Sequence, residues 1–286
     1  MRSFFTETSS GPLFVYEWGD AEGPAALYWD GLGGTGLHAN ELGPLLADRF
    51  AARVIAPDPP GHGRSAPVSA DGYRPSRLAA TAADLLSALE VGSALFVGFS
   101  WGAEVAVAFA AQQSRRATGL VLVDGGYWDF ADLPDFDTSR ALEAWVRAAE
   151  KRAEDERYAS WEGYFAAERT ALGRWTPALE EAHRATMREA DELIVPIAGP
   201  EVVGATRHGN CLEPTAAEHA ALAASSLPVL LVTPARGSGP VGRAGIDRFR
   251  ANVPQLELET LPGDVHDLVS TAPAELAELV GARLRR

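Results

Sequence analysis

The sequence predicts an α/β protein: a mostly parallel β-sheet flanked by helices and interrupted once by a helical insertion. Two observations carry this. Short apolar runs alternate with Ala- and Leu-rich stretches of helical spacing through the first half of the chain, as in strands joined by crossover helices. From Tyr127 to Cys211 the strand pattern vanishes, and it resumes at Pro228.

In chain order, Leu13 to Glu17 and Ala25 to Trp29 are the first expected strands, followed by Arg53 to Ala56, Ala94 to Val97 and Gly119 to Val123. Each ends in a turn rich in Gly, Asp or Pro. Between them, Ser76 to Glu90 and Gly102 to Gln112 place small and apolar residues at helical spacing and have the length of crossover helices. Arg140 to Arg157, Trp161 to Leu172 and Pro177 to Leu193 are charged, Trp-dotted helical segments. Pro228 to Val232 and Leu256 to Leu261 then read as strands, and Pro273 to Leu284 as a final helix. The expected division is a core of residues 1–126 and 212–286 with a helical cap inserted at 127–211.

Composition narrows the function classes. The 286 residues are 47% hydrophobic and 22% charged, ordinary globular usage. With 39 Asp and Glu against 25 Lys and Arg, the formal charge of −14 repels phosphate backbones and anionic lipid, so neither nucleic acid nor a membrane is an expected partner. The one cysteine, Cys211, cannot form an internal disulfide, and the six histidines are dispersed, so no metal site is expected. The N-terminal stretch has no apolar signal-peptide core, and no later run reaches the length of a membrane span; a cytoplasmic location is the expectation. The expected partner is a small-molecule substrate, and a homodimer is allowed.

The chemistry is read from one turn. The strand at Ala94 to Val97 runs into Gly98-Phe99-Ser100-Trp101-Gly102 and directly into a helix. Gly-x-Ser-x-Gly between strand and helix is a tight reversal: the glycines let backbone segments approach, and the central serine is held strained with its hydroxyl exposed. A serine hydroxyl is a weak nucleophile near neutral pH and needs a base. Of the six histidines, His266 follows the last strand and precedes the terminal helix, where a loop can carry it over the strand ends.

With these residues the chain resembles enzymes of the α/β-hydrolase fold. Asp30-Gly31-Leu32-Gly33-Gly34 is similar to that family's His-Gly-x-x-Gly oxyanion loop, with Asp30 in place of the commoner histidine. Asp58-Pro59-Pro60-Gly61-His62-Gly63-Arg64-Ser65 resembles its Asp-x-x-Gly-x-Gly-x-Ser turn, and the Ser100 elbow and His266 loop follow in the family's order. The resemblance implies an eight-stranded, mostly parallel sheet and a serine nucleophile in a triad. In most relatives the triad acid follows the strand after the cap, as Gly-x-x-Asp. Here that strand leads into Thr233-Pro234-Ala235-Arg236-Gly237-Ser238, with no carboxylate. The next acid, Asp247, falls within an expected helix. Asp124, in Asp124-Gly125-Gly126 at the end of the strand before the cap, is the alternative, an arrangement similar to that of zearalenone-type lactonases.

The expected roles are therefore Ser100 as nucleophile, His266 as base and Asp124 as the group that orients the ring. The Leu32 and Trp101 N–H groups are the expected oxyanion donors. Gly31 and Gly33 let their loop approach the substrate, and Trp128, just past Asp124, is the aromatic expected at the pocket mouth. The reaction expected is cleavage of a carboxylic ester or lactone of a largely apolar small molecule, with no cofactor. Amide or carbon–carbon bond hydrolysis, cofactor-free lyase chemistry, and a ligand receptor with little turnover are the alternatives on the same fold.

Overall fold

The computed structural model describes residues 1–133, 137–235 and 239–285, without the side chains of 239 and 240. The strands are β1 (Arg2–Thr8), β2 (Gly11–Trp18), β3 (Ala25–Trp29), β4 (Arg53–Pro57), β5 (Ala94–Phe99), β6 (Ala117–Val123), β7 (Met187–Ala190), β8 (Leu193–Pro196), β9 (Val229–Pro234) and β10 (Leu256–Leu261). Eight of them form one sheet in the order β1-β2-β4-β3-β5-β6-β9-β10. Pairing is parallel from β4 to β10 and antiparallel only at the β1 and β2 end.

The inner parallel strands are nearly continuous apolar runs because helices cover both faces, whereas the parallel edge strand β10 carries Glu257 and Glu259 and is mostly exposed. Successive residues alternate sides. Leu27 and Trp29 face a core built with Phe96, Leu120, Leu122 and Leu231, whereas Ala26 and Tyr28 face one built with Val97, Val121 and Val232. The first face is covered by α2 (Pro75–Ala88), α3 (Trp101–Gln112), α8 (His219–Ser225) and α9 (Gly239–Asn252), the second by α1 (Leu42–Phe50) and α11 (Pro273–Leu284). Helix α3 is buried from Trp101 through Ala110, so its Ala- and Val-rich sequence packs on all sides. Each fully buried Leu or Val in these two layers contributes roughly 1.5–3 kcal/mol.

Between β6 and β9 lie α4 (Leu142–Asp155), α5 (Trp161–Leu172), α6 (Pro177–Arg184), the β7–β8 hairpin and α7 (Pro200–Leu212). Local signals set their ends: Ser160 accepts the Gly163 N–H at 3.1 Å to start α5, and Thr176 accepts the Leu179 N–H at 3.1 Å ahead of Pro177 in α6. One expectation is corrected here. The helix expected over Pro177 to Leu193 stops at Arg184, and Met187 to Pro196 forms a two-stranded antiparallel hairpin. Its two turn residues, Asp191 and Glu192, both adopt positive φ (49° and 62°) without the glycine that marks such turns in a sequence. Tertiary packing overrides the helix propensity of Met-Arg-Glu-Ala: Met187 and Ile194 bury against Tyr164 and Phe165, and Tyr158 exchanges two backbone hydrogen bonds with Ile194. The second departure is β1, which pairs along its whole length with β2 but shows the outside one residue in two, so it lacked an apolar run to announce it.

Among the described residues, no helix is long and apolar enough to cross a membrane, and no group of three or more His, Cys, Asp or Glu is placed to hold a metal ion.

Candidate active site

Three strand ends at one edge of the sheet deliver three side chains to one place. β5 occupies the middle of the sheet, and the chain turns from it into α3 at Ser100, whose φ of 50° and ψ of −121° lie outside the usual allowed regions. The turn requires its glycines: a Cβ at Gly98 would lie 2.3 Å from the Gly102 carbonyl oxygen, and one at Gly102 would lie 2.0 Å from that of Trp29. Asp124 ends β6, itself at a φ of 44°, and His266 sits in the loop between β10 and α10 (Leu268–Thr271).

The three groups form a continuous line. Ser100 Oγ lies 2.9 Å from His266 Nε2, and His266 Nδ1 lies 2.6 Å from Asp124 Oδ2. The buried carboxylate on Nδ1 selects the tautomer that carries its proton there and leaves Nε2 free to accept from the serine. Asp124 is buried, and its second oxygen accepts the Tyr127 hydroxyl at 2.8 Å, so the acid is held at both ends. Tyr127 itself packs in the sheet core. The imidazole is 55% exposed, open toward a ligand. Asp247, the other acid weighed from the sequence, is exposed on α9, and residues 236–238 of the loop after β9 lie outside the described residues.

The early glycine loop leans on this line. A Cβ at Gly31 would meet the Ser100 Cβ at 3.1 Å, and Gly33 turns the loop with a φ of 94°. Among the described residues the Leu32 and Trp101 N–H groups donate no hydrogen bond, and both residues border the cavity beside Ser100. The Asp58 turn is structural: Asp58 accepts the Gly36 and Arg64 N–H groups, and burial pushes its carboxyl up to about 7. His62, from the same turn, is buried and kept neutral by desolvation, and it stacks on Trp101 with ring centres 5.5 Å apart.

Sequence reasoning missed His38. Asp30 Oδ1 accepts from Gly31 N–H (2.8 Å), the Tyr28 hydroxyl (2.9 Å) and His38 Nδ1 (2.9 Å). His38 Nε2 in turn lies 3.1 Å from Asp267 Oδ2 and 2.9 Å from Ser270 Oγ. Burial opposes a charge on this ring, but the two carboxylates outweigh it and raise its pKa well above the ordinary value. Asp267 is partly buried, and desolvation pushes its carboxyl up, yet the His38 charge and the Ser270 hydrogen bonds hold it far below the usual carboxylate range. One imidazolium thus joins the glycine loop to the residue beside His266. The only sequence sign of it was the unusual acid at Asp30, a buried anion in need of a cation.

Two cavities meet at Ser100. One, of about 380 Å³, runs past Tyr158, Tyr164, His183 and Met187; the other, of about 550 Å³, runs past Trp128, Phe130, Val203 and Asn210. Leu32, Arg152 and His266 border both. Trp128 lines the larger cavity, whereas Trp145 and Phe165 are buried packing residues of the insertion.

The fold is shared with known proteins. The chain belongs to the alpha/beta hydrolase fold family, whose pattern matches residues 27–183, more than half of its length. The chain is similar to a 2-hydroxy-6-oxononadienedioate/2-hydroxy-6-oxononatrienedioate hydrolase of Burkholderia vietnamiensis, with 39% identity over 106 residues, 35% of each chain. An uncharacterized protein of Mycobacterium tuberculosis is 40% identical over 104 residues, 36% of this chain and 30% of that one. The chain thus spans about a third of the length of the curated relatives it matches. Over its whole length the fold is similar to that of E-2-(acetamidomethylene)succinate hydrolase, with a TM-score of 0.77, 22% identity, and 100% and 99% of the two chains covered.

Proposed function

We propose that the protein is a serine hydrolase that cleaves a carboxylic ester or lactone through an acyl-enzyme on Ser100. The observation that carries this reading is the unbroken Ser100–His266–Asp124 line, at 2.9 and 2.6 Å. His266 Nε2 takes the hydroxyl proton as Ser100 Oγ attacks the carbonyl carbon. The oxygen of the tetrahedral intermediate gathers negative charge against the unengaged Leu32 and Trp101 N–H groups, which need no reorganisation to receive it. His266 then protonates the leaving alkoxide, and the acyl group remains on Ser100. Water, deprotonated by the same nitrogen, attacks the acyl carbon and releases the acid. Asp124 stays ionised throughout, holding the ring and stabilising the imidazolium.

Carbon–carbon bond hydrolysis is the second reading, favoured by the B. vietnamiensis relative, whose name is that of a hydrolase of an oxo-dienedioate. The test is labelling by a fluorophosphonate probe together with a panel of esters and lactones. Ser100 is expected to carry the label, and Ser100→Ala to lose both labelling and ester turnover while melting at the same temperature. Labelling without turnover of any ester or lactone would move the assignment to the second reading. No labelling would remove Ser100 as the nucleophile.

A further inference from the structure

We infer that the larger cavity is built to hold an anionic group of the substrate, a carboxylate gripped by Arg207 with Arg152 nearby, so that the preferred substrate is a half-ester or similar acid and not a purely apolar ester. The inference rests on the reading of Ser100 as nucleophile for saying that the anion belongs to a substrate.

Arg207 stands on α7 and Arg152 on α4, two helices that pack closely because Gly204 presents no side chain to Val146. Both arginines border the cavity that opens on Ser100. Arg152 gives its Nε to Glu156 at 2.6 Å. Arg207 has no ion pair and no hydrogen bond among the described residues, although it is half-buried. Its charge costs free energy in the unliganded protein: desolvation and the nearby positive charge of Arg152 lower its pKa, and the more weakly felt Glu156 carboxylate, itself paired with Arg152, does not offset them. Partly buried guanidinium groups ordinarily find a carboxylate, and in a chain of net charge −14 acids are plentiful.

The acids around this cavity are all committed elsewhere. Asp129 accepts the Thr215 and Ala216 N–H groups and pairs with Arg248. Asp124 serves His266 and Tyr127. Glu104 is wholly buried, which drives its carboxyl toward the neutral acid, and it takes its hydrogen bond from Asn210 at 3.2 Å. An arginine, a planar fork with five donors and no acceptor, thus lines the same cavity as the nucleophile without a hydrogen-bonded partner, and a carboxylate is the shape and charge that satisfies it. Trp128, Phe130 and Val203, which line the same cavity, suit a short hydrocarbon spacer.

The test is binding to the inert Ser100→Ala variant, measured by calorimetry with monomethyl glutarate and monomethyl adipate against their dimethyl esters. Each pair differs by one ionised carboxylate. The half-esters are expected to bind at least about tenfold more tightly, the worth of a charge-assisted hydrogen bond. Adding Arg207→Gln should erase that preference, and Arg207→Lys should retain part of it. Arg207→Gln should not lower the melting temperature, because the side chain has no ion pair or hydrogen bond to lose and its desolvation and the Arg152 charge outweigh the pull of Glu156; a purely structural arginine would lower it. Equal binding of half-ester and diester, a preference that survives Arg207→Gln, or no measurable binding of the half-esters would overturn the proposal. None of these readings requires turnover, so failure of the anion site is separate from failure of Ser100 to take the fluorophosphonate.

Discussion

At the scale of single residues, the arrangement turns on which carboxylate faces His266 Nδ1. Asp124 does so from the end of β6, fixed by Tyr127 on its far oxygen. Asp124→Asn keeps the side chain's shape but offers an amide where the ring needs an acceptor, which favours the wrong tautomer. On the proposed mechanism kcat should fall by up to about 10⁴, the effect of this change in a well-studied serine protease. Asp247→Asn, on the exposed face of α9, should leave kcat on the same ester nearly unchanged; a large loss there with a benign Asp124→Asn would reverse the assignment. His38 is a second residue-scale device. Its pKa is raised in the fold, so the stability tied to its charge is complete below about pH 6.5, where the unfolded ring is also protonated, and is lost as pH rises through the folded value. The melting temperature of the wild type should therefore exceed that of His38→Gln most near pH 5 to 6 and by less at pH 9. A margin that widened with pH would mean the buried ring is neutral.

At the scale of elements, the site depends on how closely backbones approach. The Gly98 and Gly102 contacts let α3 begin directly beneath β5, and Gly204 does the same for α7 against α4. An alanine at 204 would improve helix propensity by roughly 1 kcal/mol, but its Cβ would fall 2.7 Å from the Val146 Cα, backbone that cannot give way cheaply. The steric term should win: we expect Gly204→Ala to destabilise by about 1–3 kcal/mol in denaturant unfolding. It should also weaken half-ester binding, because it pushes Arg207 and Arg152 apart. A stabilised variant would show that α4 and α7 pack more loosely than described. The same elements show why the insertion was only partly legible. Helices α4 and α5 carry ordinary helical periodicity, whereas the β7–β8 hairpin has helix-forming residues in its first strand and two acids in its turn, and only packing against Tyr164 and Phe165 selects it.

For the whole molecule, buried ionisable groups set the pH range of stability. Burial raises Asp58 to about 7, Glu104 well above its ordinary value, and Asp129 and Glu168 also upward. These groups keep protons that the unfolded chain has released, so they make stability fall as pH rises above about 4. His183 and His219, lowered to about 4, and His62, also lowered, act oppositely and add stability as pH rises toward about 6.5. Above that only the falling contributions remain, His38 among them. The melting temperature should peak between about pH 5 and 7 and decline to pH 9; a steady rise to pH 9 would contradict it. The inner sheet strands, the Ser100 elbow and the His266 loop could be read from the chain, because each depends on residues adjacent in sequence, an apolar run or a pair of glycines; Asp124 came from the family resemblance and the carboxylate missing after the later strand, and β1 and the β7–β8 hairpin were not read. Which strand ends become neighbours, that His38 bridges Asp30 to Asp267 across more than two hundred residues, and that Arg207 lines the cavity with no ion pair or hydrogen bond among the described residues were decided by the tertiary structure alone. The physical reason is that an unmet charge is not a property of the residue that carries it. It appears only when packing removes water and determines which opposite charges remain within reach.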